Sequence, residues 1–185
     1  MSVHPALFYR PGGRLSLTEL SAARLDGDVV EVGEGYMPAD TIEGAGARAL
    51  SLSPLVPPGT AVSGVSAAWV HGAGDAPPSV HHVSRISVSR QRIGPSMRVV
   101  HHERRLAADD IRSIAGVWVQ TPEATAVSLL LSSARSAEDE IWLHALIGVS
   151  PGLIDAVRAR VLPLGRRPGA AHARRILESW RLRTW

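Results

Sequence analysis

Leu15 to Pro38, LSLTELSAARLDGDVVEVGEGYMP, reads as one short capped helix followed at once by a tight two-stranded ribbon. Ser16 stands at the N-cap with Glu19 three residues on, the reciprocal pattern of a capping box. Leu17, Leu20 and Ala23 fall on one helical face. Asp26-Gly27-Asp28 stops the helix, Val29 to Val32 supplies a β-branched strand, Gly33-Glu34-Gly35 turns the chain, and Tyr36 and Met37 return before Pro38. Helix followed by ribbon is the back half of a winged helix. The residues before it hold Pro5, Pro11, Gly12 and Gly13 and cannot carry the two helices that a full one needs. The unit is therefore either a trimmed DNA-binding module or a helix-hairpin cap with no ligand.

A chain of 185 residues, 45% hydrophobic and 20% charged, is long enough for one domain with a small appendage. No stretch approaches the ~20 apolar residues of a membrane span and no signal-peptide core opens the chain, so a cytoplasmic protein is expected. The absence of cysteine agrees with that compartment and removes thiolate chemistry. All 20 basic residues are arginine. Arginine forks bidentately onto phosphate, although codon bias in a GC-rich genome gives the same composition.

The distribution of charge carries more than its sum of +3. Residues 1–84 hold four arginines against eight acids, a net −4. Residues 158–185 hold eight arginines against Glu178 alone, a net +7, and residues 85–105 hold six against Glu103. An anionic partner should therefore meet the middle strands and the C-terminal helix before the ribbon.

Further along, Asp40 and Glu43 suggest a second capping box before a helix to about Leu52, with Ile42, Ala45, Ala49 and Leu52 on one face. SPLVPPG, residues 53–59, is the best boundary. Thr60 to Val62 reads as a strand and Gly64 to His71 as a helix. Val80 to Val88 and Met97 to Arg104 are strands expected to pair as a hairpin across Gly94-Pro95. Val117 to Gln120 is a strand, and Thr121-Pro122 caps a helix burying Ala124, Val127, Leu130, Leu131 and Ala134. Ser136 starts another with Ile141, Trp142, Ala145, Leu146 and Val149 inward, Ser150-Pro151 a third, and Pro168 to Arg183 the last. Asp109-Asp110 reads as a turn cap. Trp69, Trp118 and Trp142 are expected in the core, whereas Trp180 and Trp185 border arginines and suit either docking or base stacking. Strands first and helices last indicate an α+β protein: a reduced winged-helix-like element, then a small mixed sheet covered by C-terminal helices.

The helix-ribbon, the box SGVSAAWVHG at Ser63 to Gly72, the strand with Arg85 to Arg92, and VWVQTPEATAVSLL at Val117 to Leu130 together resemble the actinobacterial branch of AbiEi-type antitoxins. The resemblance implies an N-terminal winged helix, then an α/β domain entered by a small-small-Trp helix and closed by a T-P-x-x-T-A junction. Residues 1–52 and 60–185 would be these two units. It also implies a non-catalytic DNA-binding antitoxin that represses its own operon and forms a type IV pair with a nucleotidyltransferase-like toxin. The N-terminal module is shorter and more acidic than the family's. The chain is expected to fall in a short branch without a nuclease-like C-terminal domain, whose site would want a lysine that is absent here.

On this reading the helix contacts to DNA are Arg14, Ser16, Thr18 and Arg24. If that module is inactive, the phosphate contacts are Arg85, Arg90, Arg92, Arg104, Arg105, Arg166, Arg167, Arg174 and Arg175. The alternatives are a protein-interaction module that has lost DNA binding and a metal-dependent hydrolase built on the histidine pairs. His81-His82 and His101-His102 lie on paired strands, so alternation sends one ring of each pair to each face. His82 and His102 could then meet, with Glu103, His71 or Asp75 nearby. Metal-ligand spacing such as H-E-x-x-H is missing, and no metal or cofactor is assigned.

Overall fold

The computed structural model describes residues 8–88, 94, 96–133 and 136–181. Helix α1 (Leu17–Asp26) leads into ribbon β1 (Val29–Val32) and β2 (Gly35–Pro38), then α2 (Ala45–Leu52). Strand β3 (Thr60–Val62), α3 (Gly64–Val70), β4 (His81–Arg85), β5 (Val99–His102), β6 (Ile111–Ile114) and β7 (Val117–Gln120) follow. The chain closes with α4 (Pro122–Ser132), α5 (Ala137–Val149), α6 (Leu153–Val161) and α7 (Ala170–Arg181). The architecture is α+β, with a mixed five-stranded sheet ordered β5-β4-β3-β7-β6 and a separate two-stranded ribbon.

The capping box at α1 is present in full: Ser16 Oγ accepts from the Glu19 N–H, and the Glu19 carboxylate accepts from the Ser16 N–H at 2.7 Å. The bonds that the carboxylate accepts from the Ser16 N–H, and next from the Ser16 hydroxyl at 2.8 Å, hold the Glu19 carboxyl below its ordinary value. The box therefore stabilises the fold above the usual carboxylate range and loses that contribution on acidification through its lowered value. Ser16→Ala should cost about 1 kcal/mol in urea unfolding at neutral pH, and the cost should shrink in acid; equal cost at both pH values would contradict the box.

The structure corrects several expectations and adds one strand. β4 and β5 run parallel, His81 opposite Val99 and Ser84 opposite His102, instead of forming a hairpin. Alternation has the same period in either direction, so it does not encode strand polarity; residues 86–98 give the length that a crossover needs. Strand β6 has no counterpart in the sequence reading, because its hairpin with β7 turns at Ala115-Gly116, both at positive φ (49° and 83°), where Ala hides the turn. Helix α2 begins at Ala45 with Gly44 as an N-cap that offers no side chain, so Asp40 and Glu43 do not cap it. Glu43 instead pairs with Arg48. Ile42, ahead of the helix, is 85% exposed. Trp118, on β7, is 46% exposed, and Ile141 and Val149 also face outward rather than into the core. Ala134 lies outside the described residues.

Helix α3 organises the core. Val65 and Ala68 join Leu130, Leu143, Leu146, Val157 and Leu177 in the helical cluster. Ala67, Trp69 and Val70 join Val32, Met37, Leu52, Val62 and Val119 between sheet, ribbon and α2. Small residues at 67 and 68 let a seven-residue helix lie close to both sides. Leu20, Val29 and Tyr36 seat α1 on the ribbon.

The ribbon tip is docked. A Cβ on Gly33 (φ 53°) would stand 2.3 Å from Ser51 Oγ and 3.0 Å from the Trp69 ring. Arg98 donates to the Glu34 carboxylate, and His81 Nε2 lies 3.7 Å from it. Tyr9 adds to the outer edge, exchanging backbone hydrogen bonds of 2.8 and 2.9 Å with Tyr36.

Candidate functional site

The arginines singled out by charge separate into three groups. Arg14, Ser16, Thr18 and Arg24 are all exposed on α1 or just before it. The Ser16 hydroxyl is engaged in the cap. Thr18 and Arg24 are six positions apart on the helix, which places them about 120° apart around the axis rather than on one face.

The second group follows β4 and β5. Arg85 donates to the Val88 carbonyl at 3.0 Å and to the Glu103 carbonyl at 3.3 Å. Arg105 Nε donates to the Ile86 carbonyl at 3.2 Å. These side chains brace segments 85–88 and 103–106 against each other. Arg90 and Arg92 lie outside the described residues. Arg104 is exposed as a residue, yet its guanidinium is held below the ordinary arginine value, by partial desolvation first, then by Arg167, with Asp110 opposing. Arg104 and Arg167 therefore share one electrostatic neighbourhood, although they are far apart in sequence.

The third group surrounds α7. Arg166, Arg167 and Arg175 are exposed, whereas half-buried Arg174 donates to the carbonyls of Leu164 and Gly165 and ties α7 to the end of α6. Arg160 pairs with Asp110, which explains that aspartate better than a turn cap does, and Arg158 pairs with Asp155.

The histidines follow the alternation expected of them. His82 Nδ1 and His102 Nε2 meet at 3.2 Å on one face, ring centroids 5.0 Å apart. On the other face, His81 faces Glu34 and His101 Nδ1 lies 3.6 Å from Glu103. His82 and His102 line a cleft of about 180 Å³ with Arg104, Asp139, Ser84 and Gln120. His71 is elsewhere: Gln120 C=O accepts from its Nε2 at 2.7 Å and Arg112 donates to its Nδ1 at 3.1 Å, which fixes a neutral ring. His71, Glu103 and Asp75 thus do not join the pair, and among the described residues no three His, Asp or Glu side chains form a ready ligand set.

Gln120 is the site residue that the sequence reading passed over. Its Oε1 accepts from the Gly64 N–H at 3.1 Å, and its Nε2 donates to Ala124 C=O at 3.2 Å and Ser128 Oγ at 2.9 Å. A buried amide closing the apolar strand VWVQ was the available signal. Ser84 Oγ donates to Ser63 Oγ at 2.8 Å nearby, and Ser66 Oγ accepts from the His82 N–H at 2.9 Å.

Burial holds His71, His81, His82 and His102 below the ordinary histidine value of 6.5. Each stays neutral in the fold while the unfolded chain takes up a proton, so stability is full above about pH 6.5 and falls as pH drops below it. The melting temperature should decline from pH 7.5 to 5.5, and less steeply in His71→Gln than in the wild type. A flat profile would contradict the burial argument.

A search of curated proteins returns no match. A family model, the AbiEi antitoxin C-terminal domain, matches residues 60–174, from the first residue of β3 into α7. That interval takes in the whole five-stranded sheet, the histidine cleft and the Arg104–Arg167 neighbourhood, and it covers well over half of the chain. The protein belongs to the AbiEi antitoxin family.

Proposed function

We propose that the chain is a non-catalytic antitoxin of the cytoplasm that binds DNA, represses the operon encoding it and opposes a nucleotidyltransferase-like toxin. Membership of the antitoxin family is the observation that carries this reading. The fold adds a physical reason for a polyanion: Arg104 and Arg167 repel each other, and phosphate between them would relieve that repulsion. Exposed Arg166 and Arg175 add to the positive charge of the same unit. Residues 1–52 would be the recognition module, working through Arg14 just before α1 and Thr18 and Arg24 on it rather than through the ribbon, whose tip is docked. Residues 60–185 would be the phosphate-binding and antitoxin unit. Arg85, Arg105 and Arg174 contribute less, since backbone carbonyls already occupy them. Among the described residues no helix is long and apolar enough to cross a membrane.

A reporter driven by the DNA upstream of the gene tests the proposal. The chain should repress it, Arg104→Ala with Arg167→Ala should relieve repression, and each lost phosphate contact should lower the salt slope of binding by about one. Full repression by that double variant would remove the phosphate assignment, and absence of repression by the wild type would remove the regulator reading.

A second reading, a protein-interaction module, is favoured by a groove of about 450 Å³ lined by Ile147, Ile154 and Trp180 on α5, α6 and α7 and by Pro151 in the turn between α5 and α6. Purified toxin seated there, with DNA binding absent, would favour it over the first.

A further inference from the structure

We propose that the cleft beside β4, β5 and α5 binds one borderline divalent cation of the zinc class through His82 Nδ1 and His102 Nε2. The two nitrogens already stand 3.2 Å apart. Two nitrogens bound to zinc at ~2.0–2.1 Å with tetrahedral angles stand about 3.4 Å apart, so little movement is needed. Both rings open onto the same concavity of about 180 Å³, which leaves room for water in the remaining coordination positions.

The electrical environment of the cleft fits this use. In the apposed pair one ring donates to the other. Binding requires that donor ring to carry its proton on its other nitrogen, with no net proton released. The Asp139 carboxylate lines the cleft and acts on both rings, and Glu138 acts on His82. Asp139 stands outside direct ligation and serves the cation through a coordinated water, the role of an outer-shell carboxylate. Arg104 on the same rim opposes the cation, and only two protein ligands are in place, so binding is weak compared with a complete zinc site. This site does not depend on DNA binding.

Zinc chloride titrated into the tag-free full chain, followed by equilibrium dialysis and ring-nitrogen NMR, tests the assignment. One equivalent should bind, with His82 and His102 as the two perturbed imidazoles in the wild-type spectrum. His82→Ala and His102→Ala should each weaken binding by about tenfold or more, and Asp139→Asn by less. His144→Ala, on the far side of α5, should leave it unchanged. No binding up to about 1 mM zinc, or perturbation confined to other imidazoles, would overturn the proposal. Because the NMR readout uses the unaltered protein, misfolding of a variant does not obscure the answer.

Discussion

Gly169→Ala should unseat α7 and cost roughly 3 kcal/mol or more. Gly169 has φ 82°, and a Cβ there would lie 2.1 Å from the Leu131 carbonyl oxygen and 3.1 Å from the Leu131 Cα. The obstacle is the backbone of α4's last turn, which cannot rotate aside as a flexible side chain would. Left-handed strain of about 1–2 kcal/mol adds to the clash. Behind this contact Ala170, Ala173, Leu177 and Trp180 pack with Leu131 and Val161, so a shift at residue 169 is transmitted along the helix. Gly152→Ala separates the two causes: its φ is 81° but nothing lies within 4 Å of the added atom, so only strain remains. Gly165→Ala, with neither strain nor contact, should be close to neutral. Urea midpoints that are equal for the residue 169 and 152 variants would show that the close approach of α7 to α4 is wrong.

Trp69→Ala should cost about 3–5 kcal/mol. The indole is 1% exposed and is shared by ribbon, α2, α3 and the sheet. Its loss opens a cavity that four elements line and that none can fill alone. Arg48 places its guanidinium 5.1 Å from the ring centre and donates to the Trp69 carbonyl at 2.8 Å, so the substitution also removes the cation–π part, about 0.5–1 kcal/mol. Trp69→Phe should recover most of the loss, within about 1.5 kcal/mol of wild type, because the buried indole Nε1–H has no hydrogen-bond partner to forfeit. Urea unfolding followed by circular dichroism measures both. A Phe variant as unstable as the Ala variant would contradict this packing.

The parts of the fold legible in the sequence were those fixed by local chemistry. Ser16 with Glu19, Thr121 with Pro122, and Ser136 each cap the helix expected of them, because a cap needs only side chains three residues apart. The facing of His82 and His102 was legible because alternation has a period of two whichever way the strand runs. Strand direction, the start of α2 and the exposure of Trp118 were not legible, since each depends on neighbours distant in sequence. The same holds for arginine. Charge counting set Arg85, Arg105 and Arg174 beside Arg104 and Arg167, and only the folded chain shows the first three bracing backbone carbonyls while the last two come close enough to repel.

Fluorescence anisotropy with DNA from upstream of the gene and with scrambled DNA of equal length, each at ~50 and ~200 mM salt, tests the central claim most directly. A DNA-binding autoregulator should prefer the native sequence, and its affinity should fall steeply with salt on both. Equal binding to the two would leave a basic surface without operator recognition, and no binding at the lower salt would contradict the DNA-binding account.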